Sequence, residues 1–261
     1  MAHSKPQAIK QIQDKLKRYP DILFEEFDRS FGLIATSVTN SQIVMWAQTG
    51  LEITEQGSRS WEAASKYFKA SPIVLGYVSF NNFVKWAEYG SSLCYKSHAL
   101  ASSYFEFSPR SIESLSPVDL EKWSSLGSIL STGTWKSNNL ACDFFKSSPG
   151  LLKNSTFTEL EQLVKFLHAC SGNSMELAID CLNMSRKIWP MLANNKMEFL
   201  SLASTLLDTT WRETKGLFES IHKSLPKIPL DQHAAFITLA QRLVKSNMTN
   251  IPATTIHKLS T

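Results

Sequence analysis

The sequence predicts an all-α protein, built as a right-handed α-solenoid in which antiparallel helix pairs stack on one another. A near-constant spacing of prolines and two recurring motifs predict this fold. Prolines 72, 109, 149, 190 and 226 are separated by 37, 40, 41 and 36 residues, which indicates repeats of about 37–41 residues. Glycine and proline number only ten each among 261 residues, and this low content of residues that interrupt regular structure favours long helices over many short strands.

One motif combines small residues, an aromatic pair and a Ser-Pro step. It occurs at residues 63–72 (AASKYFKASP), 100–109 (LASSYFEFSP) and 140–149 (LACDFFKSSP). Its apolar residues recur at helical spacing, so it predicts the second helix of each pair. Because the residue before a proline is disfavoured in the helical region, we expect the Ser-Pro step to end that helix.

A second motif precedes the first in each repeat. It occurs at residues 46–50 (WAQTG), 86–90 (WAEYG) and 123–127 (WSSLG) and predicts the first helix of each pair. Side chains fixed at one repeat position usually pack between hairpins, so we expect Trp46, Trp86 and Trp123 to be buried. Gly90 is placed either to end the helix or to let a neighbour approach closely.

Helix starts are marked by capping signals. Ser116 and Pro117 place a cap and a first-turn proline at one start, and Thr156 with Glu159 forms a capping box at another. At the N-terminus, Pro6 to Arg18 predicts a basic helix, and Tyr19 to Leu23 is similar to the ends of the repeated second helices. Residues 230–246 predict an amphipathic helix, whose apolar residues are Phe236, Leu239, Ala240 and Leu243.

We expect residues 1–261 to form a single solenoid domain, HEAT- or TPR-like in build but without the signature of either. Residues 1–39 are the predicted N-terminal cap, 40–150 hold three well-matched repeats, 151–228 hold two degenerate repeats, and 229–261 form the C-terminal cap. Terminal units that deviate from the repeat are expected, because they must cap a stack whose inner faces are apolar.

The paired motifs resemble the helical repeats found ahead of a von Willebrand A domain in some bacterial proteins. Those proteins resemble the partners of MoxR-type AAA+ ATPases, and the resemblance covers residues 40–150 best. It implies a helical adaptor region whose protein partner is an AAA+ ATPase or a von Willebrand A domain. The D-x-S-x-S metal motif of that domain does not occur in this sequence, so its metal site cannot be carried over.

The positive charge of the chain is concentrated at its beginning. The whole chain carries 27 basic and 23 acidic residues. Residues 1–20 hold five basic residues and one acidic residue, so residues 21–261 hold 22 of each kind. Repeats without net charge disfavour nucleic acid as the partner, because contacts of Lys and Arg with phosphates supply most of the affinity of a protein for nucleic acid. A nucleic-acid-binding or DNA-repair α-solenoid is the alternative. The basic N-terminal helix is read as a solvated cap rather than a nucleic-acid or membrane arm.

No sequence signature of catalysis or of phosphate binding occurs, so we expect a non-catalytic protein without a cofactor. His168, Cys170 and Cys181 make only a loose group, which does not predict a metal site. The four cysteines are expected to be reduced and mostly buried, as suits a cytoplasmic protein, and no apolar run reaches the ~18 residues of a membrane span.

Four tryptophans are not required by the repeat, namely Trp61, Trp135, Trp189 and Trp211. Three of them are the candidates for a protein-binding surface: Trp61, Trp135 and Trp211. Tryptophan is enriched among the residues that dominate binding energy at protein interfaces. The competing interpretation is that these side chains fill irregular parts of the core.

Overall fold

The computed structural model describes residues 7–132 and 136–246, and this part of the chain is helical without any strand. Thirteen α-helices lie within these ranges: α1 (Gln7–Leu16), α2 (Asp21–Ile34), α3 (Asn40–Thr54), α4 (Ser60–Tyr77), α5 (Phe80–Cys94), α6 (His98–Ile112), α7 (Pro117–Leu130), α8 (Ser137–Leu152), α9 (Phe157–Asn173), α10 (Met175–Leu192), α11 (Lys196–Thr210), α12 (Thr214–Ser224) and α13 (His233–Ser246). The all-α prediction is confirmed, whereas the handedness and the repeat length stay predictions.

Contacts divide the chain into two compact units, and the boundary along the sequence falls between Ser131 and Thr132. In the first unit α1, α3, α5 and α7 contact one another in sequence, and α2, α4 and α6 do the same. In the second unit α8, α10 and α12 form one such series, and α9, α11 and α13 form the other. Each unit is therefore a double layer of helices, within which consecutive helices such as α5 and α6 pack as hairpins.

The first unit is held together by an aromatic ladder, in which rings of the second helices stack on the motif tryptophans. Trp46, Trp86 and Trp123 are fully buried, as predicted. The stacked pairs and their ring-centroid distances are Phe27–Trp46 at 5.2 Å, Tyr67–Trp86 at 5.7 Å and Tyr104–Trp123 at 5.3 Å. Aromatic pairs at such distances add stabilisation beyond the burial of their area.

The two tyrosines of the ladder also form hydrogen bonds within their own hairpins. The hydroxyl of Tyr67 donates to the main-chain carbonyl of Trp46 at 3.1 Å, and that of Tyr104 donates to the carbonyl of Trp86 at 3.2 Å. Each tyrosine therefore bonds to the tryptophan of its own hairpin and stacks on the tryptophan of the next. This double contact fixes one hairpin against its neighbour.

A polar contact repeats along the other layer. The amide of Gln56 donates to the Ser91 hydroxyl at 2.6 Å, and the Lys96 ammonium donates to the Ser128 hydroxyl at 2.7 Å. Gln56 and Lys96 each lie ten residues after a motif tryptophan, and the two serines each lie five residues after the following one. The same pair of repeat positions therefore joins α3 to α5 and α5 to α7.

The glycines of the first motif allow a close approach between helices. A Cβ atom at Gly90 would lie 2.1 Å from Cζ of Phe105, and one at Gly50 would lie 2.1 Å from Cζ of Phe68. Both glycines lie inside helices, α5 and α3. The close approach is therefore the correct one of the two predicted roles, and the role in ending the helix is wrong.

The prediction that the Ser-Pro step ends the second helices is also wrong. Pro72, Pro109 and Pro149 lie inside α4, α6 and α8, and Pro190 lies inside α10. A proline leaves the carbonyl four residues before it without its helical partner. In α6 that carbonyl belongs to Phe105, and it accepts a hydrogen bond from the Ser108 hydroxyl at 3.2 Å.

The helices continue past these prolines because their last turns are packed. Val74 in α4, Ile112 in α6 and Leu151 in α8 are buried after the proline. A proline only disfavours the helical conformation of the residue before it, so tertiary packing can override this preference. Burial of one aliphatic side chain contributes about 1.5–3 kcal/mol, which is comparable to the cost of an interior proline.

The structure corrects two predictions near the ends of the chain. Tyr19 and Pro20 precede α2 rather than ending a second helix, and Phe27 within α2 opens the aromatic ladder. In α13 the apolar face includes Ile237 in place of Leu239, which is 45% exposed. Pro6, the side chain of Leu243 and residues 247–261 lie outside the described part.

The predicted capping signals are confirmed. The Ser116 hydroxyl accepts from the Asp119 amide ahead of α7, and Pro117 occupies the first turn. Thr156 and Glu159 exchange both hydrogen bonds of a capping box at α9. These side chains satisfy main-chain amides that have no partner within the helix.

Candidate functional site

A groove of about 220 Å³ lies between α4 and α6 on the exposed side of the second-helix layer of the first unit. We call it the α4–α6 groove. Its charged residues are Lys66, Lys69, Glu106 and Arg110, and its floor includes Ala70, Ile73 and Pro109. It thus combines an apolar floor with a predominantly basic rim.

The helical repeat of α4 brings the groove residues onto one face. Lys66, Ala70, Ile73 and Tyr77 follow one another at intervals of four, three and four residues, so their side chains share one side of the helix. The opposite side of α4 is buried against its neighbours, through residues such as Phe68. Ile73 is 49% exposed and Tyr77 is 56% exposed, which leaves an apolar strip in contact with solvent.

The four charged residues of the groove differ in their pairing. Lys66 forms an ion pair with Glu106 at 3.1 Å, which bridges the groove from α4 to α6. Lys69 and Arg110 are exposed, and neither forms an ion pair with a described residue. The groove therefore presents, beside its apolar floor, two positive charges that have no ion-pair partner in the part of the chain that the structure describes.

Six of the eight residues that line the groove lie at positions where the repeats differ, and the other two, Phe105 and Pro109, belong to the recurring motif. The Ser-Pro step and the aromatic pair before it recur, with Phe144 replacing the tyrosine of the third repeat, whereas the residues between and after them do not. The three repeats carry different residues at three of these positions. The first position holds Lys66, Ser103 and Asp143 in the successive repeats, and the second holds Lys69, Glu106 and Lys146. The third position holds Ile73, Arg110 and Gly150. These differences are the sequence signal that could have identified the groove before the structure.

Neither Trp61 nor Trp211, the two predicted tryptophans within the described residues, lies in this groove. Trp61 is half-buried near the start of α4, and it lies five residues before Lys66, which is roughly 140° around the helix. Trp211 is half-buried at the end of α11, with the Arg212 guanidinium 5.2 Å from its ring. Trp135 lies outside the described residues. Partner binding by these three tryptophans stays a prediction.

The second unit has a groove of different character between α9 and α11. It has a volume of about 290 Å³ and includes Phe166, Met197 and Leu200. Its charged residues are one cation, Lys165, and one carboxylate, Asp208. The balance of charge gives no electrostatic preference for a partner, so this groove is the weaker candidate.

The cysteines are free thiols. Cys94, Cys170 and Cys181 are buried. Burial raises the pKa of the Cys94 thiol to about 12, and a hydrogen bond with Cys170, followed by burial, raises the pKa of the Cys181 thiol. His168 is exposed, whereas Cys170 on the same helix and Cys181 on α10 are buried. No cluster of three potential metal ligands occurs among the residues described.

None of the described helices has both the length and the apolar character required to cross a membrane. No family model, curated protein or solved structure matches the chain. Function must therefore be inferred from the distribution of packed and exposed residues within the repeats.

Proposed function

We propose that this chain is a non-catalytic scaffold that binds a protein partner through the exposed faces of its second helices. The observation that carries the proposal is that packing and groove residues occupy different positions of the repeat for the most part. The recurring Trp, Tyr, Phe and Gly residues are used in packing, whereas six of the eight residues that line the α4–α6 groove lie at positions where the repeats differ. A groove in which an exposed apolar side chain, Ile73, lies beside a charged rim has the composition of a protein interface.

Binding of nucleic acid is the alternative, and the groove does not favour it. Phosphate recognition relies on several cations arranged along the path of the backbone. In the groove, Glu106 already neutralises Lys66, and the exposed Ile73 offers an aliphatic surface rather than an aromatic face on which a base could stack. The zero net charge of residues 21–261 supports the same preference.

The motif resemblance supports a narrower form of the proposal. In this form the chain is a right-handed solenoid that serves as the helical adaptor of a cytoplasmic von Willebrand A and AAA+ ATPase system. The partner would then be the ATPase or the von Willebrand A domain. Its support is the pair of motifs within residues 40–150.

Site-specific photocrosslinking in the native cell tests the general proposal. A photoreactive amino acid would replace Ile73 in the groove and, as a matched control, Tyr95, which is 80% exposed at the end of α5. We expect one defined protein adduct from position 73 that does not form from position 95. An adduct that nuclease removes, or equal adducts from both positions, would contradict the proposal.

A further inference from the structure

We infer that the α4–α6 groove binds an acidic amphipathic segment of the partner protein. The inference rests on the proposed function, since it specifies the chemistry of the partner that the second-helix face receives. It is carried by the combination of the exposed Ile73 side chain, set in an otherwise buried apolar floor, with two cations that lack a carboxylate partner within the described chain.

The floor of the groove requires an apolar side chain from the partner. Ala70, Ile73 and Pro109 contribute the floor, and Tyr77 continues the apolar surface one turn further along α4. Apolar area that is exposed in the free protein is removed from water when a partner covers it. An amphipathic helix places apolar residues every three or four positions, which matches the spacing of Ile73 and Tyr77.

The rim of the groove requires carboxylates from the partner. Lys66 is already paired with Glu106, so the bridge between them adds little net charge. Lys69 and Arg110 carry the excess, and a carboxylate near each would complete the pairing. The guanidinium of Arg110 can bind a carboxylate through two parallel hydrogen bonds, which would also orient the segment.

Other occupants satisfy the groove less well. A basic segment would place cations against Lys69 and Arg110, and a purely apolar segment would partly cover these two charges without pairing them. A second copy of this chain has an acidic helix, α2, with exposed Ile22 and Leu33. Binding of that helix is a separate outcome, which self-association of the purified protein would reveal.

The test uses a fluorescent peptide of about 15 residues, long enough to form a helix, with Leu on one face and Glu at the other positions. We expect the full chain to bind it, with an affinity that falls as ionic strength rises from about 0.05 to about 0.5 M. The Lys69→Glu, Arg110→Glu double variant should weaken binding at least about tenfold. The same variant should gain binding to a matched peptide with Lys in place of Glu.

A control variant separates the groove from the overall charge. Arg186→Glu with Lys187→Glu changes the same residue types at two exposed positions of α10, and it should bind the acidic peptide like the parent. Gain of binding to the Lys peptide would show that the groove variant is folded, because an unfolded chain would lose both peptides. Equal losses in the control and groove variants would overturn the inference.

Four further results would also overturn it. Failure of the acidic peptide to bind, while position 73 still crosslinks to a protein, would reject the acidic partner but leave the proposed function intact. Displacement of the bound peptide by duplex DNA would assign the groove to nucleic acid. Self-association that the peptide abolishes would assign it to a second copy of the chain. Failure of both the peptide and the protein crosslink would reject the proposed function as well.

Discussion

The ring of Phe105 lies directly against the backbone of Gly90, so that a Cβ atom on this glycine would come within 2.1 Å of Cζ and 2.3 Å of Cε1. Phe68 has the same relationship to Gly50 one repeat earlier. The glycine that ends the W-A-x-x-G motif is therefore a packing residue. It allows the aromatic pair of the second helix to reach the backbone of the first.

Replacing this glycine should destabilise the protein. Gly90→Ala would force the buried Phe105 ring to move, and overpacking of this kind costs about 1–3 kcal/mol of the free energy of unfolding. Gly32→Ala is the matched control, because nothing lies within 4 Å of its added Cβ. The control should be neutral or stabilising by up to about 1 kcal/mol, as alanine favours helices. Urea unfolding of both variants measures this, and equal stabilities would contradict the packing role.

The hydroxyl of Tyr104 should contribute to stability independently of its ring. It donates to the Trp86 carbonyl at 3.2 Å and accepts from the Ser124 hydroxyl at 3.1 Å. Tyr104→Phe keeps the stacking on Trp123 but removes these bonds, so we expect a loss of about 1–2 kcal/mol in the free energy of unfolding. Tyr77→Phe removes a hydroxyl from an exposed residue and should change nothing measurable. A Tyr104→Phe variant as stable as the parent would show that the bonds are dispensable.

The buried tyrosines should make the protein sensitive to alkali. Burial raises the pKa of Tyr67 and of Tyr104 above the ordinary value, so the unfolded state loses these protons first as pH rises. The contribution of the two tyrosines to stability should therefore be constant below about pH 9 and decrease above it, by up to about 1.4 kcal/mol per pH unit for each group. Cys94 adds to the same trend, since burial raises its pKa to about 12.

Urea unfolding between neutral pH and about pH 11 measures this dependence. Tyr104→Phe removes one of the titrating groups, so its stability should fall less steeply with pH than that of the parent. A parent whose stability rises or stays level over this range would contradict the assignment.

The tryptophans of the ladder should be essential to folding. Trp86→Ala and Trp123→Ala each remove a fully buried indole, and such deletions cost about 3–5 kcal/mol. Trp61 is only half-buried, so Trp61→Ala should cost distinctly less. Thermal melts of the three variants provide the comparison. Similar melting temperatures for all three would show that the motif tryptophans have no special role.

Much of the packing could be predicted from the sequence, because it depends on local periodicity. The positions of Trp86 and Tyr104 identified two packed helices, and the capping residues Ser116 and Thr156 located two helix starts. These signals are local, since each acts within one or two turns of the helix that it marks. The all-α fold follows from their repetition.

The remainder depended on contacts between distant residues. The continuation of α6 beyond Pro109 depends on the packing of Ile112 and on the hydroxyl of Ser108, neither of which a local proline rule includes. The α4–α6 groove requires Lys66 and Glu106 from separate repeats to lie together. Neither Trp61 nor Trp211 marks the position of this groove, because its residues are ordinary in type and distinctive only in their arrangement.

The most direct test of the account combines the photoreactive residue at position 73 with the charge reversals Lys69→Glu and Arg110→Glu. We expect the protein adduct to disappear while the melting temperature stays within a few degrees of the parent, because both residues are exposed and neither forms an ion pair within residues 7–132 and 136–246. The Arg186→Glu, Lys187→Glu control should keep the adduct. An adduct that persists in the charge-reversed groove would contradict the claim that these residues bind the partner.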